Sequence, residues 1–149
     1  MGPLDLFQQG IAVIPCFPKS KQPMVRWRDF QARLPTDTQF FRWFRPGRSV
    51  NAAVVCGWSG LTVLDFDDNN TYAAWLAWAG SQGEVAAEVA VNSYRVRSAR
   101  GIHVYLFVDD TPRCGKFSGG DIKGRGGYVL IPPSIHPDSG KPYIWQAAF

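Results

Sequence analysis

The chain has 149 residues, 46% of them hydrophobic and 19% charged, which is the composition of a folded domain with a sizeable core. Its formal net charge of +4 is compatible with a polyanionic partner without identifying one. Three widely spaced cysteines and no C-x-x-C pair argue against a zinc site and indicate a reduced, cytoplasmic protein. The length indicates one domain over residues 1–149. No apolar run approaches the roughly 20 residues of a membrane span, so we expect no membrane partner.

Short helices and strands alternate in the first third of the chain. The patterns predict a helix at 3–10, a strand at 11–16, a helix at 38–45 and a second strand at 51–56. A loop at 15–23 carries Lys19 and Lys21. This loop fits equally well a solvated basic segment and a contact for phosphate groups.

A buried strand that ends in carboxylates is the most informative stretch of the chain. Residues 61–64 are four apolar or β-branched residues, and Asp65, Asp67 and Asp68 follow them closely. Asp65 and Asp67 are two positions apart, so on a strand both carboxylates point to the same side. Such like charges favour a cation between them, and oxygen ligands suit Mg²⁺ or Mn²⁺. The alternative is that Asp65 begins a turn and Asp67 or Asp68 caps the next helix, with no metal involved.

Further helices and then hairpins follow the acidic strand. The patterns predict a helix at 72–79 capped by Asn70-Thr71, followed by a segment at 85–91 that fits helix or strand. A first hairpin is predicted from the strands 94–97 and 102–108, and a loop follows it at 109–119. A second hairpin is predicted from 120–123 and 127–131, and a short strand at 143–145. This order indicates an α+β domain built on a largely antiparallel sheet.

Three of the predicted strands carry the polar residues of one candidate site. Asp65 and Asp67 end the first strand, His103 lies on the second, and Asp121 opens the third beside Lys123. Three carboxylates with a histidine and nearby cations are the groups that a two-metal phosphoryl-transfer site uses. From position alone, His103 fits a buried core imidazole equally well, and Asp121 fits a hydrogen-bond acceptor at the start of its strand.

Motifs spread over nearly the whole chain resemble one known family. In chain order they are G-I-A-V-I-P at 10–15, N-A-A-V-V-C-G at 51–57, G-L-T-V-L-D-F-D at 60–67, S-A-R-G-I-H-V-Y at 98–105, G-D-I-K-G-R-G-G-Y-V-L-I-P-P-S at 120–134 and G-K-P-Y-I-W at 140–145. In this order and spacing they resemble the bifunctional DNA primase/polymerase (prim-pol) domain of the archaeo-eukaryotic primase superfamily. The resemblance implies an RRM-like catalytic sheet packed with an N-terminal α/β unit and flanking helices.

The resemblance also implies roles for single residues. Asp65, Asp67 and Asp121 match the acidic positions that hold two catalytic divalent ions, Mg²⁺ or Mn²⁺. His103 matches the family histidine that contacts the phosphates of the incoming nucleotide. The same motifs imply further nucleotide contacts, which are Arg100, Ser98, Lys123 and Lys21.

The function implied is a metal-dependent nucleotidyltransferase, a template-directed DNA polymerase or primase in the replication of a phage, plasmid or other mobile element. The expected partners are a DNA template and primer, a dNTP or rNTP, and a helicase or helical accessory domain. The chain stops soon after the third motif, so we expect either a stand-alone protein or the N-terminal part of a longer replication protein. Basic residues expected to follow the template backbone are Arg26, Arg28, Arg42, Arg45 and Arg48.

Two alternatives of other classes stay open from the sequence. The first is a non-catalytic nucleic-acid-binding module with a vestigial site. Three convergent carboxylates argue against it, because a surface that binds DNA gains nothing from them. The second is a related nucleotide enzyme such as a ligase or a nuclease, although no covalent lysine motif for ligation stands out.

Overall fold

The computed structural model describes residues 1–146 and contains two antiparallel sheets with helices around them. The helices are α1 (Pro3–Gln8), α2 (Asp37–Trp43), α3 (Asn69–Ser81) and α4 (Glu84–Asn92), and Trp27–Gln31 forms a 3₁₀ turn. The strands are β1 (Val13–Cys16), β2 (Asn51–Val55), β3 (Leu61–Phe66), β4 (Tyr94–Arg97), β5 (Ile102–Phe107), β6 (Gly115–Phe117), β7 (Gly120–Lys123), β8 (Tyr128–Ile131) and β9 (Ile144–Gln146). This arrangement confirms the expected α+β fold class.

The smaller sheet has the strand order β1-β2-β8, and α1 and α2 pack against β1. Every residue of β1 and β2 is buried, as their nearly continuous apolar sequences predict. α2 begins at a capping box, in which the backbone N–H of Gln39 donates to Thr36 Oγ1 at 3.1 Å and that of Thr36 donates to Gln39 Oε1 at 3.0 Å. Phe40 then stacks on Phe7 of α1, with the ring centroids 4.3 Å apart.

The larger sheet has the strand order β6-β7-β3-β5-β4-β9, and all neighbouring strands are antiparallel. Successive residues of its central strand β3 point to opposite faces. We call the face that carries Leu61, Val63 and Asp65 the front face. The face that carries Leu64 and Phe66 is the back face.

The back face packs against α3. Phe66, Tyr72, Ile102 and Val104 form an apolar cluster there, and the Trp75 ring lies 5.4 Å from that of Phe66. α3 begins after Asp68, whose Oδ1 accepts a 2.7 Å hydrogen bond from the backbone N–H of Thr71. The expected cap at Asn70-Thr71 is therefore wrong, because both residues already lie in the first turn. Asp68 caps this helix, which is one part of the alternative interpretation of the acidic stretch.

The smaller sheet covers only the first part of the front face. Leu61 and Val63 of β3 share one apolar cluster with Val13, Val54 and many other buried side chains of the smaller sheet. Beyond Val63 the front face turns polar. The side chain of Asp65 is 30% exposed, and it borders the cleft described below.

The expected hairpin of residues 120–123 and 127–131 is wrong. β7 pairs with β3 in the larger sheet, whereas β8 pairs with β2 in the smaller one, so the glycine-rich segment 124–127 crosses between the sheets. Three of the four residues of β8 are buried, and its apolar side chains pack beside the fully buried β2. A glycine-rich turn looks the same in sequence whether the chain folds back into a hairpin or crosses to another sheet.

Smaller differences concern single elements. The segment at 85–91, which fits helix or strand in sequence, lies in α4. The expected loop at 109–119 contains β6, which pairs with β7 at the edge of the larger sheet. The last strand lies at 144–146 and pairs with β4. Among residues 1–146, no helix combines the length and the apolar character needed to cross a membrane.

Candidate active site

The register of the larger sheet places Asp65 between two of the other predicted site residues. Asp65 on β3 lies directly opposite His103 on β5 and directly opposite Asp121 on β7. Residues directly opposite each other in an antiparallel pair point to the same face. Three side chains that are distant in sequence therefore stand side by side across the front face.

Two glycines let neighbouring backbone approach the acidic end of β3. A Cβ at Gly101, in the turn between β4 and β5, would overlap the carbonyl oxygen of Phe66. A Cβ at Gly120, at the start of β7, would overlap the carbonyl oxygen of Asp65. Both positions therefore require glycine, and the close approach draws the flanking polar residues towards the carboxylates.

His103 is the direct partner of Asp65. Its Nε2 lies 3.3 Å from Asp65 Oδ1, and the imidazole is buried. Burial raises the pKa of the Asp65 carboxyl, but the hydrogen bond and charge of His103, with the charges of Lys123 and Lys21, outweigh it and lower that pKa. Asp65 is consequently ionised at neutral pH although it is largely enclosed.

Asp121 is held between two ammonium groups. Lys116 Nζ lies 3.7 Å from Asp121 Oδ1, and Lys123 Nζ lies 3.6 Å from Asp121 Oδ2. The Lys116 side chain is 88% exposed, so its ion pair contributes little to stability. These cations and His103 offset the repulsion that two carboxylates directly opposite each other on neighbouring strands would otherwise create.

The polar residues border a cleft made of two adjoining cavities. The first has a volume of about 370 Å³, and its lining includes Asp65, His103, Lys123 and Tyr128. The second has a volume of about 240 Å³, and its lining includes Asp65, Asp67, Asp121, His103, Ser98 and Arg100. Asp65 and His103 line both cavities and therefore mark the place where they join.

All eight site residues predicted from the sequence line this cleft. They are Asp65, Asp67, Asp121, His103, Arg100, Ser98, Lys123 and Lys21. Ser98 also shapes the turn, because its hydroxyl accepts a 3.2 Å hydrogen bond from the backbone N–H of Gly101. Arg100 is exposed and forms no ion pair within residues 1–146.

Two further observations concern the template and the metal ions, which the structure does not contain. The five arginines expected to follow the template are exposed, but none of them lines either cavity. In the part of the chain that the structure describes, no three acidic, histidine or cysteine side chains are grouped tightly enough to hold a metal ion. Asp65 is engaged by His103, and Asp121 by Lys116 and Lys123.

Sequence reasoning missed two rings in the cleft. His136 and Tyr143 line the second cavity, and the Tyr143 ring centroid lies 5.7 Å from that of His103 and 5.8 Å from that of His136. Burial and the nearby carboxylates of Asp65 and Asp138 raise the pKa of the Tyr143 hydroxyl. A histidine in a proline-rich loop and a tyrosine before a short strand carry no local signal of such a position.

Comparison with known proteins identifies the family. The model of the Prim-Pol family, described as bifunctional DNA primase/polymerase, N-terminal, matches residues 3–148. No match is found among curated proteins. Because the match spans nearly the whole chain, the chain belongs to the Prim-Pol family, which implies a DNA primase/polymerase-type nucleotidyltransferase.

Proposed function

We propose that this cleft binds a nucleoside triphosphate with divalent metal ions and transfers its nucleotidyl group to a 3′-hydroxyl opposite a DNA template. The observation that carries the proposal is the register in which Asp65 lies directly opposite both His103 and Asp121. Family membership indicates the reaction class, and this register supports the cleft as its proposed place.

The residues of the cleft fit two divalent ions in their chemistry. Asp65, Asp67 and Asp121 offer carboxylate oxygens, the ligands that Mg²⁺ and Mn²⁺ prefer. The lowered pKa of Asp65 keeps that carboxylate charged without metal. When bound, such ions neutralise triphosphate charge and make the attacking hydroxyl more nucleophilic. To take up this role, Asp65 and Asp121 have to exchange their present cationic partners for metal ions.

The remaining residues of the cleft suit the triphosphate. His103 presents a buried imidazole beside Asp65, and Arg100 is an exposed guanidinium without an ion-pair partner in the described chain. Lys116 and Lys123 already contact Asp121 and would be released towards phosphate if a metal took that carboxylate. Fixed cations around developing phosphate charge stabilise the transition state of phosphoryl transfer.

The replication context is part of the same proposal. We place the reaction in the copying or priming of the DNA of a phage, plasmid or other mobile element, with dNTPs or rNTPs as substrates. A template bound through exposed arginines would make binding sensitive to salt, because each neutralised phosphate releases counterions. A helicase or a helical accessory domain is the proposed protein partner.

A non-catalytic nucleic-acid-binding module is the second candidate. The observation in its favour is that Asp65 is paired with His103, and Asp121 with Lys116 and Lys123. In this case the acidic residues would only balance charge inside the sheet. The two candidates differ in whether the carboxylates are needed for a reaction.

Extension of a labelled primer annealed to a longer DNA template, with dNTPs and Mn²⁺ or Mg²⁺, tests the proposal. The wild-type protein should lengthen the primer, and the Asp65→Asn and Asp121→Asn variants should not. Asp109→Asn is the matched control, since Asp109 is an exposed carboxylate outside the cleft.

Two results would decide against catalysis in this cleft. Undiminished extension by Asp65→Asn would show that the reaction takes place elsewhere. Absence of extension by the wild type, combined with fluorescence anisotropy showing that it binds the same DNA, would favour the non-catalytic module. A primer-free reaction with the same template then asks whether the protein also starts new chains.

A further inference from the structure

A groove between α1 and α2 forms a concave surface outside the cleft, and we call it the α1–α2 groove. Its volume is about 300 Å³. It is lined by Leu4 of α1, by Phe41 of α2 and by Phe44 at the end of α2, and the lining extends to Val50 and Ala52 around the start of β2. Within residues 1–146, no residue lines both this groove and the cleft. The groove is therefore separate from the candidate active site.

Helix α2 carries more apolar side chains than the core uses. Phe40 and Trp43 point into the core and are 2% and 6% exposed. Phe41, at the next position after Phe40, is 55% exposed, and Leu4 across the groove is 40% exposed. A side chain that is half exposed gains little of the free energy that burial provides. Neighbouring exposed apolar side chains around a recess are typical of a surface that a partner covers.

Positive charge accompanies this apolar surface. Arg42 follows Phe41 in sequence and Arg45 follows Phe44, while Arg48 lines the groove itself. The Nη1 of Arg48 donates a 3.3 Å hydrogen bond to the carbonyl oxygen of Arg42, which holds Arg48 near the end of α2. All three arginines are exposed, and none forms an ion pair with a residue of the described chain.

These charges are not explained by the fold. The helix dipole favours a cation in the last turn of α2, which accounts for Arg42 but not for Arg45 and Arg48 beyond the helix. No Asp or Glu of residues 1–146 lines the groove. Unpaired positive charges beside an apolar recess favour a ligand that is both apolar and anionic.

The shape of the groove favours a peptide over single-stranded DNA. Bases bind by stacking on rings that present a flat, exposed face. Here the rings of Phe40 and Phe41 meet at 90° and those of Phe40 and Phe44 at 38°, so they form no row of parallel faces. A recess lined by Leu4 and Val50 instead fits an aliphatic or phenyl side chain. An anionic lipid surface fits less well, because a helix that lies on a membrane presents its apolar side chains outward rather than around a recess.

We propose that the α1–α2 groove docks an acidic segment of a partner protein, with a phenyl or aliphatic side chain of the segment in the groove and its carboxylates on Arg45 and Arg48. Guanidinium groups bind carboxylates through two parallel hydrogen bonds, which adds orientation to the attraction between the charges. The inference does not depend on the proposed function, because the groove and the cleft share no residue. It assigns Arg42, Arg45 and Arg48 to a protein partner and leaves Arg26 and Arg28 for the template.

The test begins with the selection of peptides from a random-peptide phage library on the immobilised whole chain. We expect the selected peptides to share an apolar residue flanked by Asp and Glu. A synthetic peptide of the selected sequence, labelled with fluorescein, is then titrated with the protein by fluorescence anisotropy. Selection of peptides without acidic residues, or of no peptide at all, would overturn the proposal.

Single variants locate the site of the same labelled peptide. Phe41→Ala and Arg45→Glu should each weaken its binding at least about 10-fold, the loss expected of an aromatic or arginine side chain that anchors an interface. Thermal unfolding of both variants should match that of the wild type closely, because both side chains are exposed. Undiminished binding by both variants would place the peptide elsewhere and contradict the proposal.

Each variant has a matched control at an exposed position outside the groove. Arg113→Glu reverses the same charge, and Phe107→Ala removes the same ring from a residue that is 56% exposed. Both controls should bind the peptide within about 2-fold of the wild type, since screening by salt confines the effect of an exposed charge to its neighbourhood. A loss in Arg113→Glu equal to that in Arg45→Glu would mean that the peptide responds to net charge and not to the groove.

Single-stranded DNA and lipid are tested on the same variants. The probes are a fluorescein-labelled oligothymidylate and vesicles of phosphatidylcholine with phosphatidylglycerol. We expect Phe41→Ala and Arg45→Glu to leave the binding of both probes unchanged. If these variants instead lose the oligothymidylate or the vesicles and keep the peptide, the groove belongs to nucleic acid or to lipid, and the proposal is wrong.

Failure of this inference and failure of the proposed function are distinguishable. Primer extension by Phe41→Ala should equal that of the wild type, because Phe41 does not line the cleft. A wild type that extends no primer but binds the peptide through Phe41 and Arg45 would refute the proposed function and support the docking groove.

Discussion

The front face of the larger sheet is divided into two halves that differ in what covers them. The apolar half contains Leu61 and Val63 on β3 with Tyr105 on β5, and the smaller sheet buries it. The polar half contains Asp65, His103 and Asp121, and it borders an open cleft. Both halves lie on the same strands, only a few residues apart. The comparison shows that the smaller sheet ends where the charges begin.

Mutations in the two halves are expected to change different properties, which are stability in the apolar half and binding and reaction in the polar half. In the apolar half, a side chain contributes to the free energy of unfolding through burial and packing. In the polar half, partly exposed carboxylates contribute to binding and reaction, and their exchange for neutral isosteres leaves the packing in place.

The largest effect is expected from Asp65→Asn. It should lower the rate of primer extension by at least about 100-fold, because a charged group at the reaction centre is lost. Its far-UV circular dichroism should match that of the wild type. Activity above a tenth of the wild-type rate would place the reaction outside the polar half.

Leu61→Ala tests the apolar half of the same strand. Leu61 is fully buried, so its truncation should lower the free energy of unfolding by about 2–5 kcal/mol, as measured by urea denaturation. Where the variant is folded, its affinity for dATP with Mn²⁺ should be unchanged. Leu4→Ala, at an exposed position of α1, is the control and should cost no more than about 0.5 kcal/mol. A loss of affinity equal to that of Asp65→Asn would show that the halves are not separable.

The pH dependence of stability sharpens the comparison in metal-free protein. The pKa of Asp65 is lowered from its ordinary value of 3.8, so its carboxylate stabilises the fold above that pH. This contribution disappears as the pH falls through the still lower pKa of the folded state. The difference in free energy of unfolding between the wild type and Asp65→Asn should therefore be larger at about pH 6 than at about pH 3. An equal difference at both values would mean that the folded protein does not favour the ionised carboxylate.

The smallest effect is expected at Tyr105, in the apolar half. The hydroxyl of Tyr105 is buried and has no hydrogen-bond partner in the described part of the chain. Tyr105→Phe should therefore leave the free energy of unfolding unchanged or raise it by up to about 1–3 kcal/mol. A clear loss of stability in thermal unfolding would show that the hydroxyl has a partner, such as a bound water.

The polar half was predictable because its signals are local. An apolar run that turns acidic at Asp65 marks the end of a buried strand, and the apolar residues on both sides of His103 place it on a second strand. Motif resemblance then connected these residues to Asp121. The strand register that places these residues side by side results from pairing between distant segments, and no local sequence pattern predicts it.

The parts that could not be predicted depend on tertiary contacts. The crossover at 124–127 has the sequence of an ordinary turn. β8 pairs with β2 because the buried strand β2 needs a neighbouring strand on that side, which no local pattern predicts. The local pattern does not distinguish Lys21 from Lys19, and only the motif resemblance singles out Lys21. Its place in the cleft follows from hydrogen bonds supplied by Asn51 and Tyr128 across the fold.

The account depends most directly on whether the polar half binds a metal–nucleotide complex. Calorimetric titration of dATP into the wild type and into Asp65→Asn, each with and without Mn²⁺, measures this. We expect saturable binding by the wild type that requires Mn²⁺ and is lost in Asp65→Asn. Equal binding by both proteins, or no binding by the wild type at any Mn²⁺ concentration, would contradict the account.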